Sequence, residues 1–397
     1  MKIKQVPDDF RVEEMPAFDP ESVRGAPGKF ALYRLDKRDW TTPDALTLVR
    51  KRWKLHPHSI GFGGLKDRHA RTIQYFTVYD GPPKDLSDNG LTVTHLGAVS
   101  KPYSSDDVRA NAFAITIRDA NSAEVSGLWQ AIPELATIGV PNYFDDQRFG
   151  GVGPDGRFVA REMVKGNFEE ALKMALAGEI EHDRSSVKRR KAVLREHWGK
   201  WPLLASKLPR GDARDIVEGL ARKPDFAAAC GRLWPDDQGL HLSAWQSHLW
   251  NRMLDRWITD HTQEVIPVAL KTATVHMPIR FDDAAAREWA EFRLPYPSAR
   301  LKLDPEAPWA GCVSATMKEE GIPLEEMKVP GMRKPFFSKG DRAAKLIVSQ
   351  LTGEDAPDDK HPNRRKATLA FELPRGAYAT MVLKRLTTRM IDGQLLA

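Results

Sequence analysis

The segment Gly61-Phe-Gly-Gly-Leu-Lys-Asp67-Arg-His-Ala70 sets one carboxylate between basic side chains, just before a β-branched and aromatic run from Thr72 to Tyr79. Such a run reads as a buried strand, so Asp67 is expected on a loop held by a rigid element. Gly61, Gly63 and Gly64 permit a tight turn or a close approach of backbone to ligand. A carboxylate so placed is a candidate nucleophile or proton acceptor, with Lys66 or Arg68 expected to keep it ionised despite burial. The same residue types also make an ordinary surface turn, and the segment alone does not separate the two.

Spacing removes several rivals. A phosphate-cradling P-loop has Gly directly before its Lys and Ser or Thr after it, where this chain has Leu65 and Asp67. The dinucleotide fingerprint lacks its third glycine. His56 with His58, and His241 with His248, are not at zinc spacing, and no His-Glu-x-x-His occurs. No Gly-x-Ser-x-Gly elbow is present. A two-carboxylate glycosidase stays open, with Glu13, Glu14 or Asp145 as its second acid.

The elements around Asp67 predict an α+β order. Lys29 to Asp36 alternates as a strand, and Thr42-Pro43-Asp44 opens a helix with the Thr42 hydroxyl as N-cap and Leu46, Val49 and Trp53 on its apolar face. Phe113, Ile115 and Ile117 alternate with Ala114, Thr116 and Arg118 in a further strand. Gly150 to Gly156 is turn-rich, and Arg157 to about Leu233 reads as helical and strongly charged. Ser243 to Ile258 is an amphipathic helix capped by Ser243, whose Trp245, Leu249, Met253 and Trp257 recur as a core stripe. Pro-separated apolar runs from Val268 to Leu303 suggest short strands. Ala367 to Leu373 reads as a strand, Ala377 to Leu386 as a helix, and Gly353 to Lys360 as an exposed loop.

A chain of 397 residues, 41% hydrophobic and 29% charged, has room for two cores and the balance of a soluble protein. It contains no apolar run of about 18 residues, and Met1 to Asp9 has no leader-like apolar segment. Cys230 and Cys312 are too few for a disulfide framework or thiolate metal site, and fit a reducing cytoplasm. The net charge of +6 favours a polyanionic partner. Its densest source is Arg184, Lys188, Arg189, Arg190, Lys191 and Arg195, with Trp198, Lys200 and Trp201 beyond, and a second cluster is Arg364, Arg365 and Lys366. Each is either a solvated face or a set of phosphate contacts.

Five stretches, in order, carry a family pattern: Asp9-Phe-Arg-Val-Glu-Glu14, Gly64-Leu-Lys-Asp-Arg-His-Ala70, Asn111-Ala-Phe113, Pro141-Asn-Tyr-Phe-Asp-Asp-Gln-Arg-Phe-Gly150 and Ser243-Ala-Trp-Gln-Ser-His-Leu-Trp-Asn251. In these the chain resembles the TruD family of tRNA pseudouridine synthases. The resemblance implies a pseudouridine synthase-type catalytic domain, with a mixed, mainly antiparallel sheet, from residues 1–151 and 329–397, interrupted by an inserted α/β (TRUD) domain at 152–328. It implies isomerisation of uridine to pseudouridine in tRNA, at the family's usual position 13, by a monomer in the cytoplasm without membrane, metal or organic cofactor. Asp67 is then the catalytic aspartate, and Phe113 the surface that stacks on an everted base, a role for which strand core is the alternative.

Other roles follow from the same resemblance. Asn111 meets the uracil edge or holds the catalytic loop; Lys66 faces a phosphate or pairs with Glu13 or Glu14, so Glu14 joins the substrate pocket. Arg68, Arg148, Lys188, Arg189, Arg190 and Lys191 are the expected RNA contacts, Arg148 having a core carboxylate as its alternative partner. The stretch Asn142 to Gly150 is a hinge that buttresses the pocket where the domains meet. Ala110 and Asp145 stand where the family has glycine, which alters local geometry if a positive φ is needed there. A non-catalytic RNA-binding or chaperone protein is the competing reading, and a nucleoside glycosidase the third.

Overall fold

Period-two alternation builds the sheet that carries the Asp67 segment. In the computed structural model, which describes residues 1–391 and 394–396 apart from 57, 181–182 and 333–335, the N-terminal part folds into seven strands. These are β1 (Phe10–Pro16), β2 (Phe30–Arg38), β3 (Ile60–Phe62), β4 (Arg71–Tyr79), β5 (Leu86–Asp88), β6 (Leu91–Val99) and β7 (Val108–Ala120). The strands Ser349–Pro357 and Arg365–Pro374 join them in the order Ser349–Pro357, Arg365–Pro374, β7, β1, β4, β2, β6, β5, with β3 against β4. Within this mixed sheet β1 and β4 run parallel, and the other neighbours are antiparallel.

The register decides which side chains meet. Tyr33 lies opposite Phe76, Leu35 opposite Gln74 and Lys37 opposite Thr72. Helix α1 (Thr42–Trp53) covers that face, packing Ala45, Leu46 and Val49 against Ala31, Tyr33, Leu35, Phe76 and Val78. On the other face Leu32 and Tyr75 pack with Leu96, Tyr103 and Val108. Covered on both sides, β4 is buried at almost every residue, which accounts for its unbroken apolar run.

Three local expectations are corrected. Thr41, not Thr42, caps α1 by accepting the Asp44 amide, because Thr41 has the extended backbone a cap requires. Ser243 caps nothing: one helix runs from Pro235 to His261, and Ser243 donates to the Leu240 carbonyl inside it. Gly353 to Pro357 continue the edge strand Ser349–Pro357 instead of looping out. The acidic composition there suits a sheet edge, and Asp355 accepts the Trp129 indole while Gly353 leaves room for that ring.

The chain divides into two units, Met1–Val140 with Leu346–Ala397, and Pro141–Lys345. Within the second unit the Asn142 amide donates to Ala344 at 2.7 Å, its side chain donates to Ala343 at 2.9 Å, and Arg342 donates back to the Asn142 carbonyl, which ties the two ends of that unit together. The second unit is mainly helical, with two antiparallel ribbons, Val265–Ala269 with Thr274–Pro278 and Arg293–Pro295 with Asp341–Ala343. Trp245, Leu249, Met253 and Trp257 form its buried stripe.

In the first unit, Arg118 of β7 locks the early and late parts of the chain together. Its guanidinium donates to Asp9 at 2.8 Å and to Asp358 and Asp359 at 2.9 Å, and Asp9, Arg118 and Asp358 are all buried. Removing the cation strands two buried carboxylates, so Arg118→Met is expected to cost about 3–5 kcal/mol, read from the denaturant midpoint of the sheet-bearing unit.

Candidate active site

Close packing and a buried ammonium fix the segment 61–70. A Cβ on Gly61 would sit 2.8 Å from the Tyr103 carbonyl oxygen, and one on Gly63 2.6 Å from Val108 Cγ2, so the backbone passes where no side chain fits. The Gly64 carbonyl accepts from Gln74 Nε2 at 3.2 Å. Thr42, fully buried, donates to Gln74 Oε1 at 2.8 Å and accepts the Lys66 amide at 3.0 Å. The first turn of α1 therefore braces the loop.

Lys37 does most of the holding. It is 0% exposed, and its ammonium donates to the Trp40 carbonyl at 2.7 Å, the Asp67 carbonyl at 2.9 Å and the Lys66 carbonyl at 3.3 Å. Burial lowers its pKa to about 8, with Asp67 opposing that shift and Lys66 adding to it.

The Lys66 side chain turns inward. Its ammonium donates to Asn111 Oδ1 at 2.7 Å and lies 2.9 Å from Glu14 Oε2 as an ion pair. Glu14 is 1% exposed, and its other oxygen accepts the Tyr103 hydroxyl at 2.9 Å and the Tyr75 amide at 3.3 Å, where the β1–β4 ladder ends. Burial and the neighbouring Glu14 push the Tyr103 hydroxyl far above its ordinary pKa, so it stays a donor. Lys66 thus ties the Asp67 loop to Glu14 and Asn111, and the buried Glu14 is held by the Lys66 ammonium, the Tyr103 hydroxyl and the Tyr75 amide.

Asp67 itself points elsewhere. Its carboxylate, 34% exposed, receives Lys4 Nζ at 2.6 Å. That ammonium also lies 4.0 Å from the centroid of the Phe10 ring. Phe10 packs edge-on to Phe113 at 6.2 Å, and Phe113 stacks on Phe371 at 5.5 Å with 24° between the rings. The β1–β7 register sets Val12 opposite Phe113 and Glu14 opposite Asn111, and β7 pairs Phe113 with Phe371. Carboxylate, ammonium and an aromatic cluster, in which Phe10 and Phe371 are buried and Phe113 is partly exposed, are therefore contiguous. Of the expected partners, Lys66 is taken up by Glu14 and Asn111, and it is Lys4 that is bonded to the Asp67 carboxylate.

The expected RNA contacts divide. Lys188, Arg189 and Arg190 are exposed on the helix Ser185–Glu196. Lys191 is buried and paired with Asp183 at 2.6 Å, so it is an internal ion pair and not a phosphate ligand. Arg364, Arg365 and Lys366 are likewise taken up by Asp119, Asp355 and Asp359. Arg148 donates to Ser247 at 3.1 Å and lies over the Phe144 ring. Ala110 and Asp145 both have ordinary negative φ, so the absence of glycine strains neither. Among the described residues, no cluster of three or more His, Cys, Asp or Glu side chains is placed to hold a metal ion, and no helix is long and apolar enough to cross a membrane.

A family model described as tRNA pseudouridine synthase D (TruD) matches residues 1–386. The chain belongs to the TruD family. It is 28% identical to the probable tRNA pseudouridine synthase D 2 of Methanocaldococcus jannaschii, over 97% of this chain and 91% of that protein. It is 30% identical to the probable tRNA pseudouridine synthase D of Methanopyrus kandleri, over 91% and 86%. The crystal structure of a TruD protein from Methanosarcina mazei superposes with a TM-score of 0.72 at 24% identity, covering 97% of this chain and 93% of that one, and shares the α+β fold. As a TruD protein the chain is an isomerase that converts uridine in tRNA to pseudouridine.

Two residues that hold the Asp67 segment escaped sequence reasoning. Lys4 carries no signal in its type or spacing; only its place just before the Asp9–Glu14 stretch, and its left-handed backbone at φ 55° in the structure, single it out. Lys37 did carry one, since alternation through Ala31, Tyr33 and Leu35 puts it on the buried face. With its folded pKa below the ordinary lysine value, the unfolded chain binds more protons between about pH 8 and 10.4, and this group makes stability rise with pH through that window. Lys37→Met is expected to remove that rise, measured as unfolding midpoint against pH, and to lower kcat by about 10²-fold through misplacement of the loop while KM for tRNA holds.

Proposed function

We propose that Asp67 is the carboxylate that acts on the ribose of an everted tRNA uridine, at position 13, with the partly exposed Phe113 replacing the stacking the base gives up. One observation supports this above the others: the Asp67 carboxylate is bound to Lys4, which sits on Phe10, which packs on Phe113. A partly exposed carboxylate beside an aromatic surface is what an incoming nucleotide requires, because a uridine inside folded RNA presents neither its sugar carbon nor its ring face.

The reaction breaks the bond from the ribose carbon to N1 of uracil and forms one to C5, whose proton is lost as N1 gains one. No electrons leave and no water is consumed. Asp67 attacks the ribose carbon or removes a ribose proton, Lys4 orients it, and the Lys37 clamp fixes the backbone beneath it. Stacking on the aromatic surface contributes about 1–3 kcal/mol for the flipped base. Catalysis belongs to the domain at 1–151 and 329–397, and the insert at 152–328 grips the body of the tRNA through Lys188, Arg189 and Arg190. The enzyme works as a monomer in the cytoplasm, without metal or organic cofactor.

Asp67→Asn, nearly isosteric, is expected to abolish pseudouridine formation in unmodified tRNA, mapped at single-nucleotide resolution, while tRNA affinity stays within about twofold. Normal turnover by that variant removes Asp67 from the role. Alanine at Lys188, Arg189 and Arg190 together is expected to raise KM and to reduce the slope of log affinity against log salt by about one for each phosphate no longer bound. An unchanged slope makes that face a solvated one.

A further inference from the structure

The exposed basic residues of the helix Ser185–Glu196 border a cleft of about 630 Å³ in the second unit. Lys188, Lys191, Ala192 and Arg195 face it at helical spacing, opposite Val152, Pro154 and Ile180, with Lys271 at one end. Five cationic side chains line it against two carboxylates, Glu179 and Asp183.

The cations fall into two classes. Lys191 is bound to Asp183, Arg195 to Glu179 and the Ala177 carbonyl, and Lys271 to the Val152 carbonyl. These bonds fix the walls. Lys188 and Arg189 have no hydrogen-bond or ion-pair partner among the described residues and stand exposed at the cleft. Val152, Pro154, Ile180 and the small side chain of Ala192 leave an apolar surface between them.

We propose that this cleft binds a second, non-target nucleotide of the tRNA turned out of its stack, with its phosphate on Lys188 and Arg189 and its base against Ile180, Pro154 and Ala192. The chemistry is that of a nucleoside monophosphate unit: a diffuse anion for unpaired cations, a planar ring for an apolar slot, and N–H edges for the Glu179 and Asp183 carboxylates. The space is ample for one nucleotide. The inference rests on the reading that the exposed basic face contacts tRNA, and it adds that the face has a pocket that is filled.

Ala192→Phe separates the two. It fills the cleft without touching a charge, at an exposed position on a helix, so the fold is retained; Ala192→Leu serves as a graded second variant. Steady-state kinetics on unmodified tRNA are expected to show KM raised about tenfold for the Phe variant and less for Leu, with kcat and the salt slope unchanged. If Ala192→Phe leaves KM unchanged while Lys188→Ala/Arg189→Ala raises it, the basic face is a flat phosphate-binding surface and the pocket proposal is overturned. If neither variant moves KM, the pocket and the tRNA-contact reading fall together. A lowered kcat at constant KM also overturns the pocket.

Discussion

A single buried ammonium sets the position of the loop that carries Asp67. Lys37 has no exposure to water, so its charge must be met inside the protein, and the three carbonyls that meet it belong to Trp40 in the turn before α1 and to Lys66 and Asp67. A buried cation left without acceptors is costly, so the loop and the cation determine each other. Loop position follows from this pairing, from the absence of a side chain at Gly61 and Gly63, and from the Thr42 brace. The exposed part of the loop is then free to carry Asp67 and Arg68 outward.

A second ammonium, that of Lys66, performs the matching task from the other side. Its anchor, Glu14, is held by a phenol and a backbone amide in a buried pocket, so strands β1, β4 and β7 all converge on one carboxylate. The two lysines flank the loop in different ways. Lys37 binds its main chain, while Lys66 is part of it and ties its side chain to the sheet. Neither needs to touch a substrate for the geometry of Asp67 to depend on both.

Much of this was legible in the sequence. The strands were, because their alternation is set by burial, and the long Trp-rich helix was, because its stripe recurs at four-residue steps. Asp67 and Phe113 stood out by composition and by motif. What was hidden depends on contacts distant in sequence. Lys4 meets Asp67 across 63 residues, and nothing local to either marks the pair. Lys191 and its neighbours Lys188 to Arg190 look alike as text, and only helix geometry turns one inward to Asp183 and the others out. Thr42 reads as the cap of α1, but its hydroxyl is taken up by Gln74 and the Lys66 amide, which lie far from it in sequence, and Thr41 with its extended backbone caps the helix. Edge position explains why an acidic stretch that reads as loop is a strand.

The aromatic cluster has a consequence for how the enzyme comes into being. Phe10 and Phe113 belong to the first third of the chain, but the ring that stacks on Phe113 is Phe371, on the strand Arg365–Pro374, which is made only after all of the chain between Ala120 and Arg365. A nascent polypeptide emerging from the ribosome therefore displays Asp67 long before the surface beside it is finished. Such a late, long-range pairing is slow to form, so the stack of Phe371 on Phe113 is completed only when the strand Arg365–Pro374 docks on β7.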